Sequence, residues 1–384
     1  MSEVRAALSG RRAIVCVGSG GVGKTSVAAA LAVSAARQGR RVLALTVDPA
    51  PRLADSLGVD RASGDWQTLD AARSERLGIT KPGALEVGVL DAERTLRQLI
   101  QSLVRDDEAR ARLVRHPLFE PLGKYLAGAG EYMAMEKLLQ ALSSADHDLV
   151  VLDTPPSRHA LDLFEAPERV RRAVTNPVLS ALLRSLPGAG SRRADWLGRG
   201  IRMATKGIGR LTGEATLEQI TTLVEQLPPV LSGFGERARE LGDALQRPDF
   251  AYVLVTRPTA VSVELARSFS QELERRSLGA DLLVINRVSR VPAREVIARG
   301  LEQLGPRVSE KLFGAVRSAL ADGVSRTERE QAQIAELVRE HVLQGCPRLE
   351  LPALQVGVSD LAELANLADR FGRCWGGQSA AKSA

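Results

Sequence analysis

A glycine-rich loop at residues 18–25, with the sequence G-S-G-G-V-G-K-T, constrains the fold of this chain more than any other stretch. It follows an apolar run at residues 13–17 and precedes an alanine-rich, helix-favouring segment at residues 26–36. Strand, glycine loop and helix in this order are the context in which G-x-x-x-x-G-K-[ST] forms a phosphate-binding loop. The alternative interpretation is a glycine-rich strand-to-helix turn of a dinucleotide-binding fold.

The residues of the loop predict how phosphate would be held. Because glycine has no Cβ, successive backbone N–H groups can point at phosphate oxygens, and the following helix adds its free N–H groups and positive dipole end. Lys24 is expected to reach the β- and γ-phosphates, and the Thr25 hydroxyl to ligate Mg²⁺. The positions expected to bind ATP are Gly20, Gly21, Val22, Gly23, Lys24, Thr25 and Ser26. ATP and Mg²⁺ are therefore the expected cofactors.

Three polar residues come directly after apolar runs that predict parallel strands: Asp48, Asp153 and Asn286. Open α/β sheets bind their ligands at the carboxyl ends of the strands. An acid in such a position can reach the Mg²⁺ shell, and an asparagine can pair with an adenine edge. Arg287, the next residue, is placed with Asn286 in the ATP site. The alternative for Asp153 and Asn286 is a simple turn, which Asp and Asn also favour.

The pattern of apolar runs predicts an α/β fold, a three-layer P-loop NTPase with a mostly parallel central sheet and helical insertions. The expected strands are residues 13–17, 41–47, 85–90, 149–152, 251–255, 282–285 and 349–351. Residues 1–384 are interpreted as a single ATPase domain, with residues 91–143 and 160–247 as helical insertions. Residues 59–84 are expected to be a loop or a short helix, and residues 376–384 a disordered tail.

Composition excludes several classes of function. Aromatic residues are only 3% of the chain, so the stacking platforms that bind single-stranded nucleic acid are not expected. The formal net charge is +6, but the 26% of charged residues have both signs interspersed, which does not indicate nucleic-acid binding. The three cysteines, Cys16, Cys346 and Cys374, lie far apart, so neither a zinc site nor a disulfide framework is expected.

No run of eighteen apolar residues occurs, and the first twelve residues lack the apolar core of a signal peptide, so the chain is expected to be cytoplasmic and not integral to a membrane. The basic stretch at residues 192–213 interleaves arginines and lysines with apolar side chains and five glycines. It could lie peripherally on a membrane or hold a partner helix, or it could pack on its own domain through its apolar face.

Taken in order, these motifs resemble those of the arsenite-pump ATPase (ArsA) family, whose eukaryotic relatives deliver tail-anchored membrane proteins. The family's loop G-K-G-G-V-G-K-T is similar to residues 18–25, its D-P-A-H-x-L-x-D motif to residues 48–55, and its D-T-A-P-T-G-H motif to residues 153–159. Asn286 matches the asparagine that recognises adenine in that family, and residues 351–354 resemble the region packed near the base. The resemblance covers about residues 12–372, with one ATPase unit where the arsenite pump has two.

The resemblance implies a role for each matching residue. Asp48 would orient and activate the attacking water and belong with Thr25 and Asp153 to the Mg²⁺ site, where Thr25 binds the metal directly and Asp153 acts through a water. Lys24 and the loop N–H groups would stabilise charge on the phosphate oxygens, since phosphoryl transfer depends mainly on positioning and charge neutralisation.

The second residue of the loop, Ser19, departs from the family pattern, which has a lysine there that reaches the partner's phosphates across a nucleotide-bridged dimer. Three explanations follow. The chain pairs with a related ATPase that retains the lysine; another base, Arg52 or Arg158, replaces it; or hydrolysis is slow and the protein is mainly switched by nucleotide binding.

The function that follows is an ATP-binding and ATP-hydrolysing, Mg²⁺-dependent ATPase. It would act as a nucleotide-switched homodimer or heterodimer coupled to a membrane protein, to ion efflux or to client-protein targeting. The alternative is a nucleotide-gated binding or scaffold subunit with little turnover. A chromosome-partition or division-site ATPase shares the loop but would require a terminal membrane helix or a DNA-binding basic patch. The family's clustered thiols and paired C-x-x-C cysteines have no counterpart here.

Overall fold

The computed structural model describes residues 2–47, 53, 57, 66–81, 84–104, 106–115, 130–155, 162–175, 214–353 and 361–375. The strands are β1 Ala13–Val17, β2 Val42–Thr46, β3 Gln67–Thr68, β4 Leu85–Val89, β5 Leu149–Asp153, β6 Phe250–Thr256, β7 Leu282–Val288 and β8 Arg348–Pro352. The helices are α1 Ser2–Leu8, α2 Lys24–Arg37, α3 Ala71–Arg76, α4 Ala92–Leu103, α5 Asp107–Arg115, α6 Gly130–Ser143, α7 Asp162–Val174, α8 Glu214–Leu245, α9 Ala260–Arg275, α10 Arg294–Leu304, α11 Glu310–Val338 and α12 Leu361–Trp375.

The strands form one sheet of eight in the order β3-β4-β2-β5-β1-β6-β7-β8. Every pairing is parallel except that between β3 and β4 at one edge. The central strands β1, β2 and β5 are buried along their whole length, as expected for parallel strands covered on both faces. The α/β P-loop fold with a mostly parallel central sheet is therefore confirmed.

Helix α2 packs on one face of the sheet, together with α1 and α12. Its alanines are buried almost throughout, and small side chains let the helix lie close to the strands. On the other face, the Thr256 hydroxyl donates a 3.0 Å hydrogen bond to the Ser262 carbonyl of α9. Because α2 begins where β1 ends, this packing fixes the loop between them at the carboxyl edge of the sheet.

Most expected strands differ from the observed ones by one or two residues, but two differences matter. Strand β7 continues to Val288, so Asn286 lies inside the strand, and the prediction that it follows the strand is wrong. The strand continues because a bulge between Ile285 and Val288 absorbs Arg287 in a left-handed conformation, with φ of 60°. Strand β3, an antiparallel edge strand of two residues, is too short to give a periodic pattern in a region expected to be irregular.

The chain divides into two compact units: one contains Met1–Val89, Ser144–Ala160 and Pro248–Ala384, and the other contains Leu90–Ser143 and Leu161–Arg247. In the second unit, the spacing of Leu96, Leu99, Ile100 and Leu103 predicts one face of α4; the first three are buried and Leu103 is partly buried. The interpretation of residues 91–143 and 160–247 as insertions into a single ATPase domain stays a prediction. The basic stretch at 192–213 and the tail at 376–384 lie outside the described residues.

Candidate functional site

Three glycines with positive φ angles determine the path of the loop between β1 and α2. These angles are 148° at Gly18, 74° at Gly21 and 98° at Gly23, a range that residues with a side chain rarely adopt. A Cβ on Gly18 would lie 2.1 Å from the Val255 carbonyl oxygen, and one on Gly23 would lie 2.2 Å from Asn286 Nδ2. Two of the three glycines therefore also allow the loop to lie directly against β6 and β7.

Gly23 is the N-cap of α2 and gives the helix no side-chain cap. The amides of the first helical turn lack intrahelical partners in any α-helix, and an anion at this position can accept hydrogen bonds from them. Thr25 and Ser26 lie in this first turn, and both are partly exposed. The helix start thus has the backbone geometry and the hydroxyl groups that phosphate binding requires.

Lys24 is only 5% exposed. Its Nζ donates hydrogen bonds to the backbone carbonyls of Gly18 at 3.0 Å and Ser19 at 3.1 Å. These bonds hold the charge over the loop, where P-loop lysines meet phosphate. Ser19 takes part through its carbonyl oxygen, and its side chain is a half-buried hydroxyl without charge.

Asp153 ends β5, next to the start of the loop. It pairs in register with Cys16 of β1 and is 1% exposed. The Thr46 hydroxyl at the end of β2 donates a 3.3 Å hydrogen bond to Asp153 Oδ2. Burial raises the pKa of the Cys16 thiol well above its ordinary value, the nearby Asp153 carboxylate raises it further, and Lys24 opposes both. Cys16 is thus a buried neutral thiol that packs beneath the site.

The Thr154 hydroxyl donates a 2.7 Å hydrogen bond to the Cys16 carbonyl. This bond holds the segment that follows β5 against the neighbouring strand β1. The continuation of this segment at residues 156–161 lies outside the described part of the chain, as does Asp48. Arg52 and Arg158, the two expected replacements for the missing lysine, also fall outside it.

Asn286 contacts the loop itself. Its Nδ2 donates a 2.8 Å hydrogen bond to the Val22 carbonyl, and its Oδ1 accepts one of 2.9 Å from the Arg287 amide. Asn286 is 9% exposed, whereas the Arg287 side chain is exposed. The expected adenine contact stays a prediction, and the contact with the loop is a second role that the sequence reasoning missed.

The sequence reasoning also missed Thr46, which orients Asp153. The sequence feature that could have indicated Thr46 is a hydroxyl residue near the end of an otherwise apolar strand, at the edge of the sheet where the loop lies. Such a residue carries a polar group into a buried layer, and buried hydroxyls are normally hydrogen-bonded.

The donor set fits Mg²⁺, because the Thr25 hydroxyl is a hard oxygen ligand and the Asp153 carboxylate can accept a hydrogen bond from a metal-bound water. Mg²⁺ keeps several waters and is usually bound by one or two protein groups together with substrate phosphates. Among the described residues, no group of three or more His, Cys, Asp or Glu side chains could hold a metal ion by itself. None of the helices searched within the described ranges is long and apolar enough to cross a membrane.

Comparison with known proteins identifies relatives. A family model described as anion-transporting ATPase matches residues 11–298. An uncharacterized protein of Streptomyces coelicolor is 33% identical over 279 residues, which are 72% of this chain and 62% of that protein. The ATPase GET3 of Malassezia globosa is 27% identical over 162 residues, 42% of this chain and 44% of the relative. ATPase GET3B of Arabidopsis thaliana is 27% identical over 304 residues, 75% of this chain and 67% of the relative.

Proposed function

The chain belongs to the anion-transporting ATPase family, and we propose that it binds ATP with Mg²⁺ at the loop of residues 18–25 and hydrolyses it. The observation that carries this proposal is the position of Lys24, whose Nζ donates hydrogen bonds to the Gly18 and Ser19 carbonyls of a loop shaped by positive-φ glycines. A lysine in this position of a phosphate-binding loop contacts the β- and γ-phosphates of the nucleotide.

The proposed roles divide between the loop and the two strand ends beside it. The backbone N–H groups of residues 20–23, with Lys24 and Ser26, hold the phosphate oxygens. Thr25 and Asp153 hold Mg²⁺, Asp153 through a water. Mg²⁺, when bound, neutralises charge on the phosphate oxygens. Asp48 follows β2 by two residues; it joins this metal site and orients the attacking water.

At the base end of the site, Asn286 and Arg287 bind the nucleoside. The Asn286 amide keeps a second N–H hydrogen, and its oxygen keeps a second lone pair, beyond the bonds to the loop and to Arg287. An adenine edge offers the matching acceptor and donor. This supports selection of ATP over GTP.

The assembly proposed is a nucleotide-switched dimer, either of two copies or with a related ATPase, that acts in the cytoplasm on a membrane protein, an ion or a client protein. The matched segment spans less than two thirds of the Streptomyces relative, 62% of its length. The proposal for the partners and the cargo is therefore based on family membership alone. The mass of the purified protein with ATP, with ADP and without nucleotide would test for the switch. A mass that is the same in all three states would contradict it.

Ser19 favours a second candidate function, a nucleotide-gated subunit with little turnover of its own. The hydroxyl cannot supply the positive charge that a lysine would bring to the phosphates. Ser19→Lys tests this candidate directly. If the missing charge limits hydrolysis, the variant will turn over ATP faster than the natural chain while binding it equally well. Brisk hydrolysis by the unaltered chain alone would contradict the candidate.

The main proposal is tested by ATP binding and phosphate release with the full chain. Lys24→Met should abolish both, and Asp48→Asn should bind ATP but lose turnover by about a hundredfold or more. Chelation of Mg²⁺ should stop turnover in the natural chain. Lys311→Met, which removes an exposed lysine of α11, is the matched control and should change nothing. Turnover that survives in Lys24→Met would place the activity elsewhere or in a contaminant.

A further inference from the structure

Arg257 directly follows β6, beside the loop. Strand β6 pairs with β1 so that Val17 lies opposite Leu254. Gly18, the first residue of the loop, contacts Val255, the next residue of β6, since a Cβ on Gly18 would lie 2.1 Å from the Val255 carbonyl oxygen. Arg257 follows Val255 by two residues, about 7 Å along an extended chain.

Strand alternation gives the side of the sheet on which Arg257 lies. The hydroxyl of Thr256 bonds the Ser262 carbonyl of α9, so Thr256 faces that helix. Val255 faces the other side, where it joins the core formed with α2. Successive residues of a strand alternate between faces, and this alternation, continued one residue past the end of β6, puts Arg257 on the face of Val255, which carries α2 and the loop. The β6–β7 register pairs Thr256 with Ile285, which brings Arg257 level with Asn286.

The Arg257 side chain is partly buried. Its Nε is buried and has no hydrogen-bond acceptor among the described residues. Arg11, another partly buried arginine of this unit, contacts the Asp281 carboxylate at 2.8 Å. A guanidinium stays charged at any physiological pH, and a buried N–H without an acceptor costs free energy. An arginine in this state beside an anion-binding loop indicates an anionic acceptor that comes from outside the chain.

We propose that Arg257 binds a phosphate oxygen of the nucleotide held by the loop, on the side of the α- and β-phosphates. The inference rests on the proposed function. Strand β6 lies across β1 from β5, which carries Asp153, so Arg257 approaches from the side away from the metal. It is level with Asn286, which places it between the loop and the base end of the site. The planar guanidinium matches phosphate geometry and forms charge-assisted hydrogen bonds.

The test is calorimetric titration of the full chain with Mg²⁺–ADP and with inorganic pyrophosphate. Arg257→Met should raise the Kd of both ligands by a similar factor, about tenfold to a hundredfold, because each ligand carries the contacted phosphates. Arg257→Lys should recover part of the loss. Arg294→Met removes an arginine that is 78% exposed on α10 and should leave both constants unchanged.

The outcomes separate this inference from the proposed function. If the natural chain binds ADP and Arg257→Met binds both ligands equally well, the phosphate contact is wrong and the proposed function stands. A loss for ADP without a loss for pyrophosphate would move the contact to the nucleoside and overturn the assignment. If the natural chain binds neither ADP nor ATP, both proposals fail. Should Arg257→Met be unfolded at the titration temperature, Arg257→Gln decides: weaker binding of both ligands supports the inference, and unchanged binding overturns it.

Discussion

The Asn286 side chain and the Val22 backbone are joined by a 2.8 Å hydrogen bond that ties β7 to the loop. The bond requires close approach, which the missing side chain of Gly23 allows. The Arg287 amide holds Asn286 Oδ1 at 2.9 Å and so fixes which way the side-chain amide points. The bulge of β7 and the loop therefore behave as one structural element, and changes on either side should affect both.

Gly23→Ala should be more damaging than Gly21→Ala. A Cβ at Gly23 would lie 2.2 Å from Asn286 Nδ2, whereas one at Gly21 would meet nothing within 4 Å. Both positions have positive φ, so both variants bear the left-handed strain of about 1 kcal/mol. We expect Gly23→Ala to lose a further 1–2 kcal/mol or so of unfolding free energy, and most of its affinity for ADP. Urea unfolding and ADP titration of the two variants measure the difference.

The collision with Asn286 can be isolated by a double-mutant cycle. In an Asn286→Ala background the obstructing amide is gone, so Gly23→Ala should cost less stability than it does in the natural chain. Equal costs in the two backgrounds would mean that the amide of Asn286 does not limit residue 23.

Asn286→Ala separates loop support from base recognition. Loss of the bond to Val22 should weaken ATP and GTP binding by the same factor, about fivefold to tenfold for one hydrogen bond. Loss of the proposed adenine contact should weaken only ATP binding, so the preference for ATP over GTP should shrink. Titration with both nucleotides gives the two effects from one variant. An unchanged ATP-to-GTP ratio would contradict the adenine contact, and an unchanged GTP affinity would contradict loop support.

Thr46→Val should weaken Mg²⁺ binding but should not weaken nucleotide binding in the absence of Mg²⁺. The buried hydroxyl donates to Asp153 Oδ2 at 3.3 Å, and valine keeps the shape while it removes the donor. Partners that orient a ligand typically change metal affinity by tenfold or more. For this long hydrogen bond we expect the Mg²⁺ concentration that half-saturates ADP binding to rise about threefold to tenfold.

The control is Thr95→Val, which removes another buried hydroxyl, bonded at 2.7 Å to the Asp91 carbonyl in the second unit. It should lower stability to a similar degree and leave the Mg²⁺ dependence unchanged. A Thr46→Val protein whose half-saturating Mg²⁺ concentration matches that of Thr95→Val would show that Thr46 does not position the carboxylate.

The loop and its flanking elements were predictable because their determinants are local. Each part of this region adopts a conformation that is determined by residues close in sequence. The apolar run at residues 13–17 forms strand β1, the glycines form the turn, and the alanine-rich segment forms helix α2. The ends of β2 and β5 followed, to within one residue, from the same kind of pattern. A parallel sheet then aligns these ends without further information.

The contacts that complete the site were not predictable, because they join residues distant in sequence. Asn286 and Val22 are 264 residues apart, and their contact depends on the strand order that places β7 beside β6. The bulge that orients Asn286 could not be predicted from a glycine, because the residue in the left-handed conformation is Arg287. The role proposed for Arg257 depends on a buried Nε without a hydrogen-bond partner, which only the three-dimensional structure reveals.

Arg237→Met should destabilise the second unit strongly, because it would leave a buried carboxylate without its partner. Glu136 on α6 is 1% exposed and receives hydrogen bonds of 2.9 Å from both Nε and Nη2 of Arg237 on α8. Removal of one member of such a pair costs about 3–5 kcal/mol, whereas replacement of both by neutral groups costs far less. The double variant Glu136→Gln/Arg237→Met should therefore be more stable than Arg237→Met alone. Urea unfolding followed by circular dichroism measures both, with Arg239→Met, an exposed arginine of the same helix, as the control. If Arg237→Met is as stable as this control, the pair contributes nothing to holding α6 against α8.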